Sequence, residues 1–213
     1  MTIRQSLLVQ AVLGVAASIY SAVIAHSLPD RVPIHWGLSG KPDGWGSPAL
    51  SLWFGPGMIA FMMLMTWGLP KISPQKFTID RFEAAYGTIM VMVAALMGVL
   101  HVVILRATAG QAVDMNLWIM LTLGIFFAVM GNMMGKVRRN FFMGIRTPWT
   151  LASEPVWDAT HRRAARLWFF GGLAIAILAA IGTPIWISAT LLTVLGLWPV
   201  ALSYILYRKL ENH

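Results

Sequence analysis

The chain has 213 residues, 58% of them hydrophobic and 11% charged, with no cysteine. Soluble domains carry about 25% charged residues, so a water-coated globule is excluded, as are disulfides, thiolate nucleophiles and cysteine-ligated zinc or iron–sulfur centres. The net charge of +8 raises nucleic acid as a partner only if the basic residues gather on a soluble face, and in this chain they follow the pattern of membrane topology instead.

A helix that crosses about 30 Å of hydrocarbon needs about 20 mostly apolar residues. The first such stretch covers 6–28; its start, Arg4 followed by an apolar run, imitates a signal peptide, but the run is long enough to span and is read as the first helix. Residues 29–49 form a loop rich in Pro, Gly and Trp, and 50–69 make the second span. A short polar segment, 70–83, leads to the third span at 84–105, and 106–115 leads to the fourth at 116–135. The longest and most basic connection, 136–165, precedes the fifth span at 166–182, which Gly182-Thr183-Pro184 separates from the sixth at 184–207. The expected fold class is therefore all-α: a polytopic bundle of about six transmembrane helices.

Lys and Arg bias sets orientation. With the N-terminus inside, thirteen Lys and Arg fall on inner segments and three, Arg31, Lys41 and Arg106, on outer ones. Both ends are then cytoplasmic, and the entire net charge faces that side.

Two connections carry the polar chemistry. In the first outer loop, four prolines restrict φ and four glycines permit tight turns, so His35, Trp36, Asp43 and Trp45 are presented on a compact surface that suits a peptide or lipid headgroup; the competing reading is a folded cap with no ligand. His26, His35, Asp43 and His101 are weak candidates for a metal on the outer side, without the helical spacing a zinc site uses. In the fourth connection Lys136–Arg139 is a basic stop that attracts anionic lipid at about 1 kcal/mol per charge. Gly144–Trp149 reads as a turn, and Ser153 as the N-cap of a helix whose first turn holds Glu154 and Pro155. That helix puts Trp157, Thr160, Ala164 and Trp168 on one stripe and Asp158, Arg162 and Arg166 on another, with Asp158 pairing Arg162; it is expected to lie along the inner leaflet before the fifth span. Small residues at Gly14, Ser18 and Ala22, and Gly131-Asn132-Met133-Met134-Gly135, permit close helix approach, within the chain or in a homodimer. No phosphate loop, nucleophile elbow or metalloprotease motif occurs, and the helix centres lack charge, which argues against an enzyme and against proton coupling.

Pro33-Ile34-His35-Trp36-Gly37 with Gly40-Lys41-Pro42-Asp43 resembles the DUF1648-like module found at the N-terminus of SdpI-like membrane proteins. Asn140-Phe141-Phe142-Met143-Gly144-Ile145-Arg146-Thr147-Pro148-Trp149-Thr150-Leu151, with Glu154, Trp157 and Thr160-His161-Arg162, resembles the SdpI-family signature, departing from it where Ala164 and Ala165 replace a frequent glycine. The resemblance implies modules at 1–69 and 70–213 in a multi-pass protein of the bacterial inner membrane. It implies immunity to a secreted, membrane-damaging peptide toxin, with retention of a cytoplasmic repressor in some members. It places the toxin on His35, Trp36, Gly37, Asp43 and Trp45, and the cytoplasmic partner on Asn140, Gly144, Arg146, Thr147, Trp149, Glu154, Trp157, His161 and Arg162. No cofactor and no direct contact with nucleic acid is implied; a metal-dependent membrane enzyme or a small-solute or lipid transporter is the alternative.

Overall fold

The computed structural model describes residues 1–211, Lys76 by its backbone alone. The six spans form as α1 (Ile3–Ala25), α2 (Pro48–Ile72), α3 (Glu83–Thr108), α4 (Met115–Met134), α6 (Glu154–Ala180) and α7 (Ile185–Glu211), with a short α5 (Pro148–Ala152) before α6. All six are long and apolar enough to cross a bilayer, and the chain is a multi-pass helical membrane protein. The N-cap of each of these helices that begins with Ser, Thr or Asp follows the side-chain rule: Thr2, Ser47, Asp114, Thr147 and Ser153 each accept a backbone N–H of the first turn.

One expectation needs correction. The helix expected to lie on the inner leaflet is continuous with the fifth span: α6 runs unbroken through 27 residues, about 40 Å, so its first turns stand beyond about 30 Å of hydrocarbon. Its charged residues are accommodated by length, and a bend into the membrane plane is not needed. The first connection, expected to be compact, contains an antiparallel hairpin, β1 (Val32–Trp36) and β2 (Pro42–Gly46).

The helices form two units. α1, α2 and α3 pack on one another, α4 packs closely on α6 and α6 on α7, and the α3–α4 contact joins the units. α3, grouped by sequence with the second module, thus packs also against the first, and the modules interlock. The start of α1 and the end of α7 lie at one end of the bundle, where Ile3 N–H donates to Glu83 Oε1 (2.8 Å) and Ser153 Oγ to Glu211 Oε1 (2.5 Å). This is termed the basic end.

Three spanning prolines explain the positions of several buried polar side chains. Proline has no N–H, so it leaves the carbonyl four residues earlier without its helical partner, and in lipid such a group must be satisfied from elsewhere. Pro56 frees Leu52 O, which accepts from Ser21 Oγ of α1 (2.8 Å). Pro70 frees Thr66 O, which shares the Tyr86 hydroxyl of α3 (3.1 Å) with Met65 O (2.8 Å). Pro199 frees Leu195 O, which accepts from Trp168 Nε1 of α6 (2.8 Å).

Around the Pro56 break, Gly55 N–H donates to His101 Nδ1 (3.2 Å), which makes Nε2 the protonated nitrogen, donating to Ser21 Oγ (2.9 Å). A Cβ at Gly55 would stand 2.3 Å from the His101 ring. Around the Pro70 break, Gln10 Nε2 donates to Thr66 Oγ1 (2.9 Å) and the Thr66 hydroxyl to Met62 O (2.7 Å). One polar knot at each end therefore ties α1, α2 and α3.

The α4–α6 seam rests on glycine, where real side chains would collide with backbone. A Cβ on Gly124 would lie 2.6 Å from Ala176 N, and one on Gly131 2.4 Å from Phe169 N. The expected Gly131–Gly135 pair is thus half right: Gly131 is the contact, while nothing lies within 4 Å of a Cβ on Gly135. A Cβ on Gly14 would lie 3.4 Å from Ile59 of α2, so Gly14 packs within the chain, while Ser18 and Ala22 are exposed and line a cleft beside α2.

Candidate functional site

The hairpin sits at the end opposite the basic one. Val32 pairs with Gly46, Pro33 with Trp45, His35 with Gly44 and Trp36 with Pro42, with irregularities on either side of His35. Gly40 adopts φ +74° at the tip, and its N–H donates to Gly37 O (2.9 Å), while Gly37 N–H donates to Lys41 O (3.0 Å). Gly44 makes room for His35: a Cβ there would stand 2.8 Å from the His35 Cβ. His35 Nδ1 donates to the Asp43 carboxylate across the strands, and both side chains are exposed. Val32 and Pro33 are buried, and Asn116 of α4 donates to Leu38 O (3.2 Å). These contacts anchor the hairpin while Ile34, Leu38 and Trp45 remain exposed. Trp36 and Gly37 are half-buried, so the predicted outer residues do share one small structure.

Two cavities open beside it. A polar cleft of about 410 Å³ runs between the hairpin tip (Ser39, Lys41), the start of α4 (Asp114, Asn116) and the α6–α7 turn (Thr183). An apolar groove of about 580 Å³ descends between α1, α3 and α4, with Tyr20, Arg106 and Trp118 among its walls and Gly98 deeper in. The two share Val113. No motif in the sequence marks this junction, since it arises from the separation of two helical units.

His101 is not at the rim, where the sequence placed it. It lies two turns inside the end of α3, fully buried, with both ring nitrogens used. His26 is exposed at the end of α1. Among the described residues no three His, Cys, Asp or Glu side chains gather as a metal ion requires, and the candidates His26, His35, Asp43 and His101 are not brought together.

The signature at the basic end is built inward. Asn140 is buried and uses its whole amide: Nδ2 donates to Arg138 O (2.8 Å) and Met143 O (3.0 Å), and Oδ1 accepts from Phe142 N (2.8 Å) and Met143 N (2.7 Å). Gly144 has φ +107° and lies against Trp157 and His161, so a Cβ would stand 2.5 Å from His161 Nε2. The Trp157 and His161 rings stack at 4.1 Å. Trp157 Nε1 donates to Val137 O (2.9 Å), and His161 Nε2 accepts from Ile145 N–H (3.0 Å). That acceptance fixes the neutral tautomer, with Nδ1–H donating to Trp157 O (2.8 Å). Thr147 caps α5, meets Ser203 of α7 (2.9 Å), and Thr150 donates to Ile145 O (2.7 Å).

Asn140, Thr147, Trp157 and His161 are therefore interior, Gly144 and Trp149 are half-buried, and Arg146, Glu154 and Arg162 are exposed. Gly144 and Thr147 begin the predicted turn, but Pro148–Ala152 is helical. Asp158 meets Arg138 at 4.0 Å and not Arg162 as expected, because the loop returns Arg138 to the α6 face. Arg139 donates to Leu151 O (3.2 Å) and Ala152 O (3.3 Å), and its guanidinium lies 5.4 Å from the Phe77 ring, joining the 70–83 segment to the same platform.

Fold and site together define a six-span membrane protein with a hairpin anchored at one end and a signature loop folded onto its fifth span at the other. Residues 136–203 match the SdpI/YfhL protein family, and residues 12–60 match a domain of unknown function, DUF1648. The chain is 31% identical over 194 residues to a protein named Immunity protein SdpI from Bacillus subtilis (strain 168), covering 90% of this chain and 91% of that one. No solved structure matches. This chain belongs to the SdpI/YfhL family.

Proposed function

We propose that this protein confers immunity to a secreted, membrane-damaging peptide toxin in a bacterial inner membrane, with the hairpin outside and the basic end in the cytoplasm. The observation that carries the reading is the junction at Val113, where a polar cleft under the hairpin meets an apolar groove descending into the bilayer. A peptide that damages membranes has both polar and apolar surface, and this arrangement offers each a complementary wall. His35, Trp36, Gly37, Asp43 and Trp45 would form the outer contact. The likeness to Immunity protein SdpI across both modules supports the same role.

Signalling to a repressor is the finer part of the proposal. The exposed Arg146, Glu154 and Arg162 would meet the cytoplasmic protein, and the interior Asn140, Gly144, Thr147, Trp157 and His161 would hold their platform in shape, with Trp149 at its edge. Toxin binding transmits only if it favours one of two helix arrangements.

Survival of a sensitive bacterium expressing the protein, challenged with a peptide toxin of this class, tests the reading. Wild type should protect. His35→Ala with Trp45→Ala, or Gly98→Phe in the groove, should reduce protection at unchanged membrane abundance. Full protection by all of these variants would remove the outer junction from the mechanism; no protection by inserted wild type would end the immunity reading for that toxin.

A further inference from the structure

Toward the basic end the α4–α6 seam opens into a groove of about 450 Å³. At Gly131 the two backbones touch, but at Gly135, one turn on, the missing side chain leaves a space. Lys136, Arg162 and Arg166 line that space, and Phe169 and Phe170 border it on the side facing the bilayer. Phe170 is 66% exposed. All three cations are exposed, and among the described residues none has an acid within 4.0 Å, Asp158 being turned to Arg138.

Three cations lining one groove at a membrane boundary, with no acid in contact, match an external anion. Guanidinium groups suit phosphate oxygens by their paired N–H geometry, and Lys adds a point charge. Phe169 and Phe170 continue the groove from the cations toward the bilayer, so an anion that also carries an acyl chain fits both parts of the lining.

We propose that this groove binds one anionic phospholipid of the adjacent leaflet, its phosphate between Lys136, Arg162 and Arg166 and an acyl chain along Phe169 and Phe170. The lipid grips α6 where the helix leaves the hydrocarbon, beside the signature loop. This does not depend on the immunity reading, and it gives Arg162 to the lipid, leaving Arg146 and Glu154 as the exposed contacts for a cytoplasmic protein.

Native mass spectrometry of the full-length protein released from detergent tests it, with phosphatidylglycerol, phosphatidylcholine and inorganic phosphate as separate probes. Wild type should retain one phosphatidylglycerol, with a preference over phosphatidylcholine of about tenfold or more, as expected of several charge contacts. K136Q/R162Q/R166Q should abolish the preference. Gly135→Leu, which fills the space without changing charge, should lower lipid retention. R4Q/R208Q/K209Q, the same charge loss elsewhere at the basic end, should retain the wild-type preference. Equal loss in that control would reduce the effect to bulk charge and overturn the site. Absence of preference in wild type, or retention of inorganic phosphate as strong as that of the lipid, would overturn it too, the first leaving the cations to an acidic cytoplasmic protein.

Discussion

Pro56, Pro70 and Pro199 each remove a backbone donor, and Ser21, Tyr86 and Trp168 each supply one. The pairing makes a side chain's value depend on a proline on another helix. Trp168→Phe keeps most of the ring's packing but orphans Leu195 O, and should destabilise the bundle by about 1–2 kcal/mol, near the upper range for hydrogen bonds between membrane helices. In a Pro199→Ala background residue 199 again has an N–H for that carbonyl, so the same substitution should cost much less. A double-mutant cycle by denaturant titration in micelles reads the difference, and equal costs in both backgrounds would refute the pairing. The prolines were visible in the sequence and so were the carbonyls they orphan; the donors were not, because that requires knowing which helices adjoin. His101 shows the same limit. A lone histidine toward the end of a span resembles an outer ligand until α2 is placed beside it, with Gly55 bare of a side chain and its N–H aimed at the ring.

At the scale of elements, hydropathy revealed all six spans because lipid imposes both length and composition. It did not show where α6 begins. Residues 154–166 carry enough charge to read as surface, and only the continuous 27-residue helix shows that surface and span are one rod. Nor were the strands legible, since Pro33, Pro42, Gly44 and Gly46 are poor strand formers; the pairing is held by turn geometry and by the His35–Asp43 contact. The glycine seam was half legible. Gly131→Leu should drive the α4 and α6 backbones apart and sharply reduce folded protein in size-exclusion chromatography, while Gly135→Leu should leave the elution profile unchanged. Similar yields of monodisperse protein from both variants would contradict the one-sided seam.

At the scale of the molecule, two three-helix units joined by α3 and α4 leave openings between them at one end, and the signature loop covers the other. Thirteen of the sixteen Lys and Arg fall on segments that the bundle gathers at the basic end, which predicts its cytoplasmic orientation. The chain has no cysteine, so single cysteines report topology without background. Ser39→Cys at the hairpin tip should react with a membrane-impermeant maleimide on intact cells, and Arg163→Cys only after permeabilisation. The reverse pattern would invert the assignment of both faces.

The proline bonds also bear on how the chain is made. A ribosome delivers the helices one at a time, so an orphaned carbonyl is exposed to lipid until its donor exists. Leu195 O lies about 15 Å along α7, the deepest of the three, and its donor, Trp168, has already been synthesised when α7 emerges. Leu52 O likewise finds Ser21 in place on α1. Only Thr66 O must wait, for Tyr86, and it lies six residues from the end of α2, within reach of interfacial water. The order of the sequence thus spares the nascent protein a bare carbonyl in mid-bilayer at any stage of insertion.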